Sequence, residues 1–140
     1  MKNMIVKGGT EDMVPKFRAW DKFDKVMLDV HGINYDAEGI WTKEVFDDED
    51  TGDFIYFCDI ELLQSTGLKD KNGKLIYEGD ILHHKVQGTG VVFYPYRDTM
   101  ASFGIINVNT NFRRNLQDTA KAGYEIIGNK FEQPHLLEEE

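Results

Sequence analysis

His83 and His84 are adjacent, and their imidazoles are the side chains in this sequence best suited by type to bind a metal ion. They fall in residues 81–86, which read as a β-strand. Successive strand residues point to opposite faces, so the two rings cannot serve one ion. A site would need distant ligands such as His31 or Asp80, without the spacing of known zinc sites. We therefore predict no metal and no cofactor, with one histidine facing solvent and the other satisfied inside or at an interface.

A second concentration of potential ligands is the acidic segment at residues 44–53, which holds six acidic residues. Calcium loops of the EF-hand type need oxygen ligands at positions 1, 3 and 5 and glycine at position 6. Counted from Asp48, glycine comes at position 5 and aspartate at position 6, and counted from Asp70, glycine comes at position 4. Both orders fail, so we expect a solvated acidic loop, with weak cation binding as the open alternative.

Cys58 is the one cysteine of the chain, and a catalytic cysteine needs a base such as histidine beside it. It follows the aromatic, strand-like residues 54–57, so we expect it to be buried as a small apolar side chain. The sequence has no phosphate-binding loop, dinucleotide fingerprint or zinc-hydrolase motif, and Ser65-Thr66 lacks the context of a nucleophile elbow. We predict no catalytic or cofactor-binding residues and no enzyme, with a small hydrolase as the remaining catalytic alternative.

Arginine and aromatic residues are interleaved within residues 81–131. This segment holds six basic and three acidic residues, whereas the whole chain carries a formal charge of −9. Aromatic rings can stack on bases while arginines neutralise phosphates. The candidate contacts for nucleic acid or a partner protein are Arg97, Arg113, Arg114, Tyr94, Tyr96 and Phe112. The alternative, which the overall negative charge favours, is that the rings belong to the core and the arginines are solvated.

Short strands separated by turns must position these side chains. Apolar and β-branched runs bounded by turn residues predict strands at residues 16–20, 26–30, 40–45, 54–57, 81–86, 91–96, 102–108 and 124–128. The predicted fold class is mainly β with short helices, namely a small SH3-like β-barrel plus an N-terminal lobe rich in β-hairpins. We expect a flexible N-terminal extension at residues 1–12, followed by one domain at residues 13–140. The domain has three parts, which are the lobe at 13–80, the barrel at 81–131 and a helical tail at 132–140.

Three segments suit short helices. Asp59 can cap a helix through Ser65, because its carboxylate can accept an unpaired N–H of the first turn. Residues 112–116 suit one helical turn, and Pro134 suits the start of a short C-terminal helix to Glu139.

Several blocks of the sequence form a specific signature. They are KFRAWD at 16–21, LQSTGLKDKNGK at 63–74, IYEGDI at 76–81, and YEIIGN at 124–129, followed by Glu132, Pro134 and Leu136-Leu137. In this order the blocks resemble the YopX family of phage and prophage proteins. The resemblance implies a β-rich fold encoded in phage and prophage genomes. It implies no reaction, because the family has no established catalytic residues.

The residue types of the central signature favour a structural role. Gly67, Gly73 and Gly79 allow turns that need positive φ. Asp70 and Asp80 are suited to accept hydrogen bonds from nearby backbone amides in those turns. We therefore interpret the signature as scaffolding that leaves any activity to the surface of the domain.

Composition sets the expected setting. A single cysteine fits a reducing cytoplasm, and no apolar run reaches the ~18 residues of a membrane span. The family resemblance implies that this cytoplasm is that of a bacterial host cell. We expect a YopX-like accessory protein acting as a non-catalytic protein-interaction or self-assembling module, through exposed edge strands or aromatic surface. Weak nucleic-acid binding through residues 81–131 is the alternative, and a small hydrolase is the second alternative.

Overall fold

The computed structural model of this 140-residue chain describes residues 15–42, 54–97, 102–119 and 123–138. Helix in these residues is limited to one turn, α1 (Leu116–Thr119), and two 3₁₀ turns, Phe57–Asp59 and Pro134–Leu137. The strands are β1 (Phe17–Asp21), β2 (Val26–Asn34), β3 (Gly39–Thr42), β4 (Phe54–Tyr56), β5 (Ile60–Lys69), β6 (Leu75–Tyr77), β7 (Asp80–His84), β8 (Gly88–Phe93), β9 (Gly104–Asn107), β10 (Arg113–Asn115) and β11 (Glu125–Asn129). The prediction of a mainly β fold with short helices is confirmed. The extension at 1–12 and the acidic segment at 44–53 lie outside the described residues.

The chain divides into two compact units, one from Phe17 to Gln64 and one made of the remaining residues. In the first unit, antiparallel strands are hydrogen-bonded in the order β4-β3-β2-β1-β5. Side chains alternate along each strand, so one face collects the apolar residues. Ala19, Ile40 and Ile60, none more than 5% exposed, form its core. No helix in the described part of either unit is long and apolar enough to cross a membrane.

Strand β5 corrects the prediction of a helix from Asp59 to Ser65. The structure has a 3₁₀ turn that ends at Asp59, and the following residues are extended. They pair with β1 in an antiparallel register that sets Ile60 opposite Asp21. Hydrogen bonds across the ladder and burial against β1 outweigh the weak local preference for helix.

The Asp70 carboxylate holds the connection between β5 and β6. Its Oδ1 accepts the N–H groups of Asn72 and Lys74, each at 2.9 Å, and its Oδ2 accepts the N–H of Ile126 in β11 at 3.0 Å. Burial raises the pKa of this carboxyl, but the three N–H groups and the charge of Lys74 outweigh burial and bring the pKa below its usual 3.8. Gly73 has φ +85°, which glycine adopts without steric cost. Asp70 and Gly73 therefore have the structural roles that their types predict.

The second unit contains an open antiparallel sheet in the order β10-β9-β8-β7-β11. The closed barrel predicted for residues 81–131 is therefore wrong for the described residues, because β10 and β11 lie at opposite edges and do not pair. Strand β10 has three residues and leads directly into α1, so it offers too short a ladder for closure. The core against this sheet consists of Ile76, Leu82, Val92, Ile105, Leu116 and Tyr124.

Candidate binding groove

A groove of about 510 Å³ lies on the core-facing side of the five-stranded sheet, next to the turn between β7 and β8. We call it the Arg114 groove; its lining residues are Val86, Gln87, Thr89, Gly90, Ile105, Asn107, Thr110, Phe112, Arg114 and Tyr124. Its floor depends on Gly90, where a Cβ would stand 2.6 Å from Cγ1 of Ile105. A side chain at Gly90 would displace Ile105, which packs across β8.

Two polar side chains fix the rims of the Arg114 groove. Nδ1 of His84 accepts the N–H groups of Val86 and Gln87 at 3.0 and 2.9 Å, which shapes the β7–β8 turn. Nδ2 of Asn107 donates to the carbonyl of Gln87 at 2.9 Å, and its Oδ1 accepts two N–H groups of the turn after β9 at 2.8 and 2.9 Å. Both rims are thus bonded to the scaffold without a ligand, and such preorganisation lowers the entropic cost of binding.

Arg114 supplies the charge of the groove. It pairs with Ile105 in the β9–β10 ladder, so its side chain lies on the core-facing side. Its Cζ lies 5.1 Å from the centroid of the Phe112 ring, a cation–π arrangement. No carboxylate among the described residues forms an ion pair with this guanidinium.

Tyr124 contributes a hydroxyl to the same groove. The residue is 3% exposed, and its ring lies 5.1 Å from the His84 ring. Burial raises the pKa of the phenol, and the charge of Arg114 opposes that rise only in part, so the pKa stays above its usual 10.0. The hydroxyl is therefore protonated at neutral pH, and no described residue hydrogen-bonds to it.

The adjacent arginines of β10 lie on opposite faces of the sheet. Arg114 and the predicted contact Phe112 line the groove, and Phe112 is 58% exposed. Arg113 pairs with Ile106 on the other face, where its Cζ lies 5.3 Å from the centroid of the Phe93 ring. The structure therefore brings only two of the six predicted contact residues together in the groove.

The other predicted contacts lie on and after β8. Cζ of Arg97 stands 5.0 Å from the centroid of the Tyr96 ring, and the Tyr94 ring lies 4.9 Å from that of Phe103. Tyr96 also lies against β9, since a Cβ on Gly104 would stand 2.8 Å from its Cδ1. None of these residues lines the Arg114 groove.

Sequence reasoning misses three residues that shape the groove. It considers His84 as a metal ligand or as a histidine that faces solvent or is satisfied inside, without a role in the β7–β8 turn, and it places Asn107 and Tyr124 only within or beside strands. The polar residues Asn107, Asn109 and Thr110 are a signal that could have indicated a side chain bonded to its own turn. The role of Tyr124 depends on a contact with β7 that no local pattern encodes.

The remaining candidates for chemistry do not come together. His83 lies on the outer face of β7, with its Nδ1 3.0 Å from Oγ1 of Thr89, so the two histidines face opposite sides as strand alternation predicts. In the part of the chain that the structure describes, no group of three or more His, Cys, Asp or Glu side chains could hold a metal ion. The expected burial of Cys58 is wrong: it is exposed in the first 3₁₀ turn, because that turn directs it away from the β1–β5 core.

Comparison with known proteins gives a family and a fold neighbour. The family model described as YopX protein matches residues 16–138. The crystal structure of protein EF1440 from Enterococcus faecalis is similar to this chain with a TM-score of 0.62 and 31% sequence identity, over 89% of this chain and 99% of that one. No curated protein matches the chain.

Proposed function

This chain belongs to the YopX family, and from that premise we propose that it is a non-catalytic binding module that holds a segment of another protein in the Arg114 groove. One observation carries the proposal: a recess of about 510 Å³ has rims fixed by His84 and Asn107 and a lining that combines one cation with apolar side chains. Ligand sites are mostly apolar recesses with a few polar groups in fixed positions.

The lining supports binding over catalysis. Among the described lining residues there is no carboxylate, cysteine, histidine or lysine. General acid–base and nucleophilic mechanisms mostly use such a group, and a hydroxyl nucleophile such as Thr89 or Thr110 needs one beside it as a base. The hydroxyl of Thr89 has a histidine beside it, but this partner is His83 on the outer face of the sheet. The lining therefore gives no support to a small hydrolase.

A protein segment suits the groove better than nucleic acid. Arg114 is the single cation among the described lining residues, whereas Arg97 and Arg113 lie elsewhere. Proteins that bind single strands use a basic groove that follows the phosphates. The formal charge of −9 would also repel nucleic acid at long range.

A second candidate function is weak binding of single-stranded nucleic acid through residues 81–131. It is favoured by the stacking of Arg97, Arg113 and Arg114, which lie 5.0, 5.3 and 5.1 Å from aromatic ring centroids. A fluorescent oligothymidine should then bind at low salt, with an affinity that falls as salt rises. Absence of binding at low salt would remove this candidate.

The proposal includes a bacterial, intracellular setting with a phage or prophage origin. Its support is the resemblance of the signature blocks and the exposed free thiol of Cys58, which suits a reducing compartment. A second copy of the chain is among the partners that the proposal covers, and light scattering at rising protein concentration would detect it. An adaptor role like that of SH3-like modules stays a prediction by analogy of strand order.

A selection of short random peptides on the whole chain tests the proposed function. Enriched peptides should shift the amide resonances of groove residues and bind roughly tenfold more weakly to Phe112→Ala. Tyr94→Ala is the matched control, because Tyr94 is 45% exposed and lies outside the groove. The proposal fails if no peptide is enriched or if the enriched peptides map to another surface.

A further inference from the structure

We infer that the Arg114 groove recognises an acidic side chain of its protein partner, held by the Arg114 guanidinium and the Tyr124 hydroxyl, with a neighbouring apolar side chain packed on Phe112. The inference rests on the proposed function, since it specifies the chemistry of the segment that the same groove holds.

Arg114 is prepared to receive a carboxylate. Its position 5.1 Å from the Phe112 centroid restricts the guanidinium before a ligand arrives. The planar fork of N–H donors matches the two oxygens of a carboxylate, and charge-assisted bonds of this kind are about twice as strong as neutral ones. No described carboxylate occupies the fork, so the complementary charge can come from the partner.

The Tyr124 hydroxyl is a second donor in the same recess. The residue is 3% exposed, yet no described residue hydrogen-bonds to its hydroxyl. The hydroxyl is not among the buried polar atoms without a partner in the described residues, so it is open to the groove, where a ligand oxygen can accept its hydrogen bond in place of water. Arg114 lines the same recess, so both donors face the space that a ligand would occupy.

The charge of the lining selects a carboxylate over a phosphate. Arg114 is the one charged residue among the described lining residues, so a single negative charge balances it. A phosphorylated side chain brings about −1.5 to −2 charges, and a nucleic-acid strand brings one charge per nucleotide. Either would leave negative charge uncompensated next to a protein that is itself acidic.

The apolar rim specifies the neighbour of the acidic residue. Phe112 and Val86 are 58% and 83% exposed, and both line the groove. Covering apolar surface of this kind stabilises a complex in proportion to the area removed from water. A partner segment with a large apolar side chain beside its acidic one would use the guanidinium and this rim together.

Two capped peptides test the inference by titration of the full chain, followed through its amide resonances. One carries a glutamate next to a phenylalanine in a glycine–serine background, and the other has glutamine in place of glutamate. The glutamate peptide should bind in the groove roughly tenfold more tightly. Arg114→Gln should abolish the difference between the peptides. Arg113→Gln, with the same charge change on the opposite face of β10, should preserve it.

Two further variants and three further ligands test the roles of Tyr124 and Arg114 and the preference for a carboxylate. Tyr124→Phe should reduce the preference for glutamate a few-fold without removing it. If Arg114→Gln does not fold, Arg114→Lys should keep part of the preference, since it retains the charge but loses the fork. Equal affinity of the two peptides for the native groove would overturn the inference, as would tighter binding there of a phosphoserine peptide, an uncapped C-terminus or oligothymidine.

The failure of this inference is distinguishable from failure of the proposed function. Selected peptides that occupy the groove without any acidic residue would overturn the inference alone. If neither the selected peptides nor the glutamate peptide shifts a groove resonance, both the inference and the proposed function are overturned.

Discussion

Replacing Asp70 by asparagine removes one of two acceptor oxygens that hold the β5–β6 turn against β11. In the native protein, Oδ1 serves the N–H groups of Asn72 and Lys74 while Oδ2 serves the N–H of Ile126. Asparagine offers one carbonyl oxygen and one NH₂ group. The asparagine oxygen can therefore accept either the N–H groups of the turn or the N–H of Ile126 in β11. On the other side, the asparagine NH₂ group faces a backbone N–H, so two donors oppose each other.

The expected magnitude follows from burial. Asp70 is 6% exposed, so water cannot replace the lost acceptor. An unsatisfied buried donor costs about 1–3 kcal/mol. We expect Asp70→Asn to lower the free energy of unfolding at neutral pH by about 2 kcal/mol, which corresponds to a fall in Tm of roughly 6–8 °C for a chain of this size.

Urea unfolding at several pH values measures the effect. Burial raises the pKa of Asp70, but the N–H groups of Ile126, Lys74 and Asn72 and the Lys74 charge bring it below 3.8. A group with a lowered folded-state pKa stabilises fully above its unfolded pKa and loses this contribution as pH falls through the folded pKa. The difference between the native protein and Asp70→Asn should therefore be complete at neutral pH and narrow below about pH 4.

The matched control is Asp36→Asn, which changes an exposed turn aspartate. It should leave the free energy of unfolding unchanged within about 0.5 kcal/mol. Equal midpoints for the native protein and Asp70→Asn at neutral pH would refute the reasoning. A difference that stayed constant into acid would refute the assignment of the pH dependence to this carboxylate.

Three further substitutions separate backbone, packing and surface-charge effects, each measured by urea unfolding. Gly73→Ala should cost about 1 kcal/mol through backbone strain alone, because φ is +85° and nothing lies within 4 Å of the added Cβ. Gly104→Ala should cost about 1–3 kcal/mol and shift the ring resonances of Phe93, which lies 2.7 Å from that Cβ. Lys71→Gln should cost under about 1 kcal/mol, because its 3.7 Å pair with Glu125 is exposed.

Local chemistry made the turns and most strands predictable. Gly73 accepts the positive φ that the turn requires, and Asp70 can bond amides two and four residues ahead, so the β5–β6 connection follows from residue types. The strands were predictable because their apolar and β-branched runs end at glycine or polar turn residues.

Two of the failed predictions trace to non-local interactions, and one traces to a local turn. Residues 60–65 contain neither glycine nor proline, so only the ladder with β1 decides that they are extended. The exposure of Cys58 follows from a single 3₁₀ turn that interrupts the strand pattern between β4 and β5. Barrel closure depends on whether β10 and β11 meet, and strand count does not determine that.

The groove was predictable only in part for the same reason. Arg114 and Phe112 are close in sequence, so their stacking is a local event, whereas Tyr124 and His84 join them through the pairing of β7 with β11. Strand alternation separates Arg113 from Arg114, but residues 112–116 suit a helical turn by sequence, so that rule applies only once β10 is known.

The most direct test of the proposed binding site compares Arg114→Gln with Arg113→Gln in one titration against the glutamate peptide. The two variants have equal net charge and differ at neighbouring positions of one strand. A groove site predicts that Arg114→Gln raises the dissociation constant roughly tenfold. The dissociation constant of Arg113→Gln should stay within about twofold of that of the native protein. Equal affinities of the two variants would contradict it.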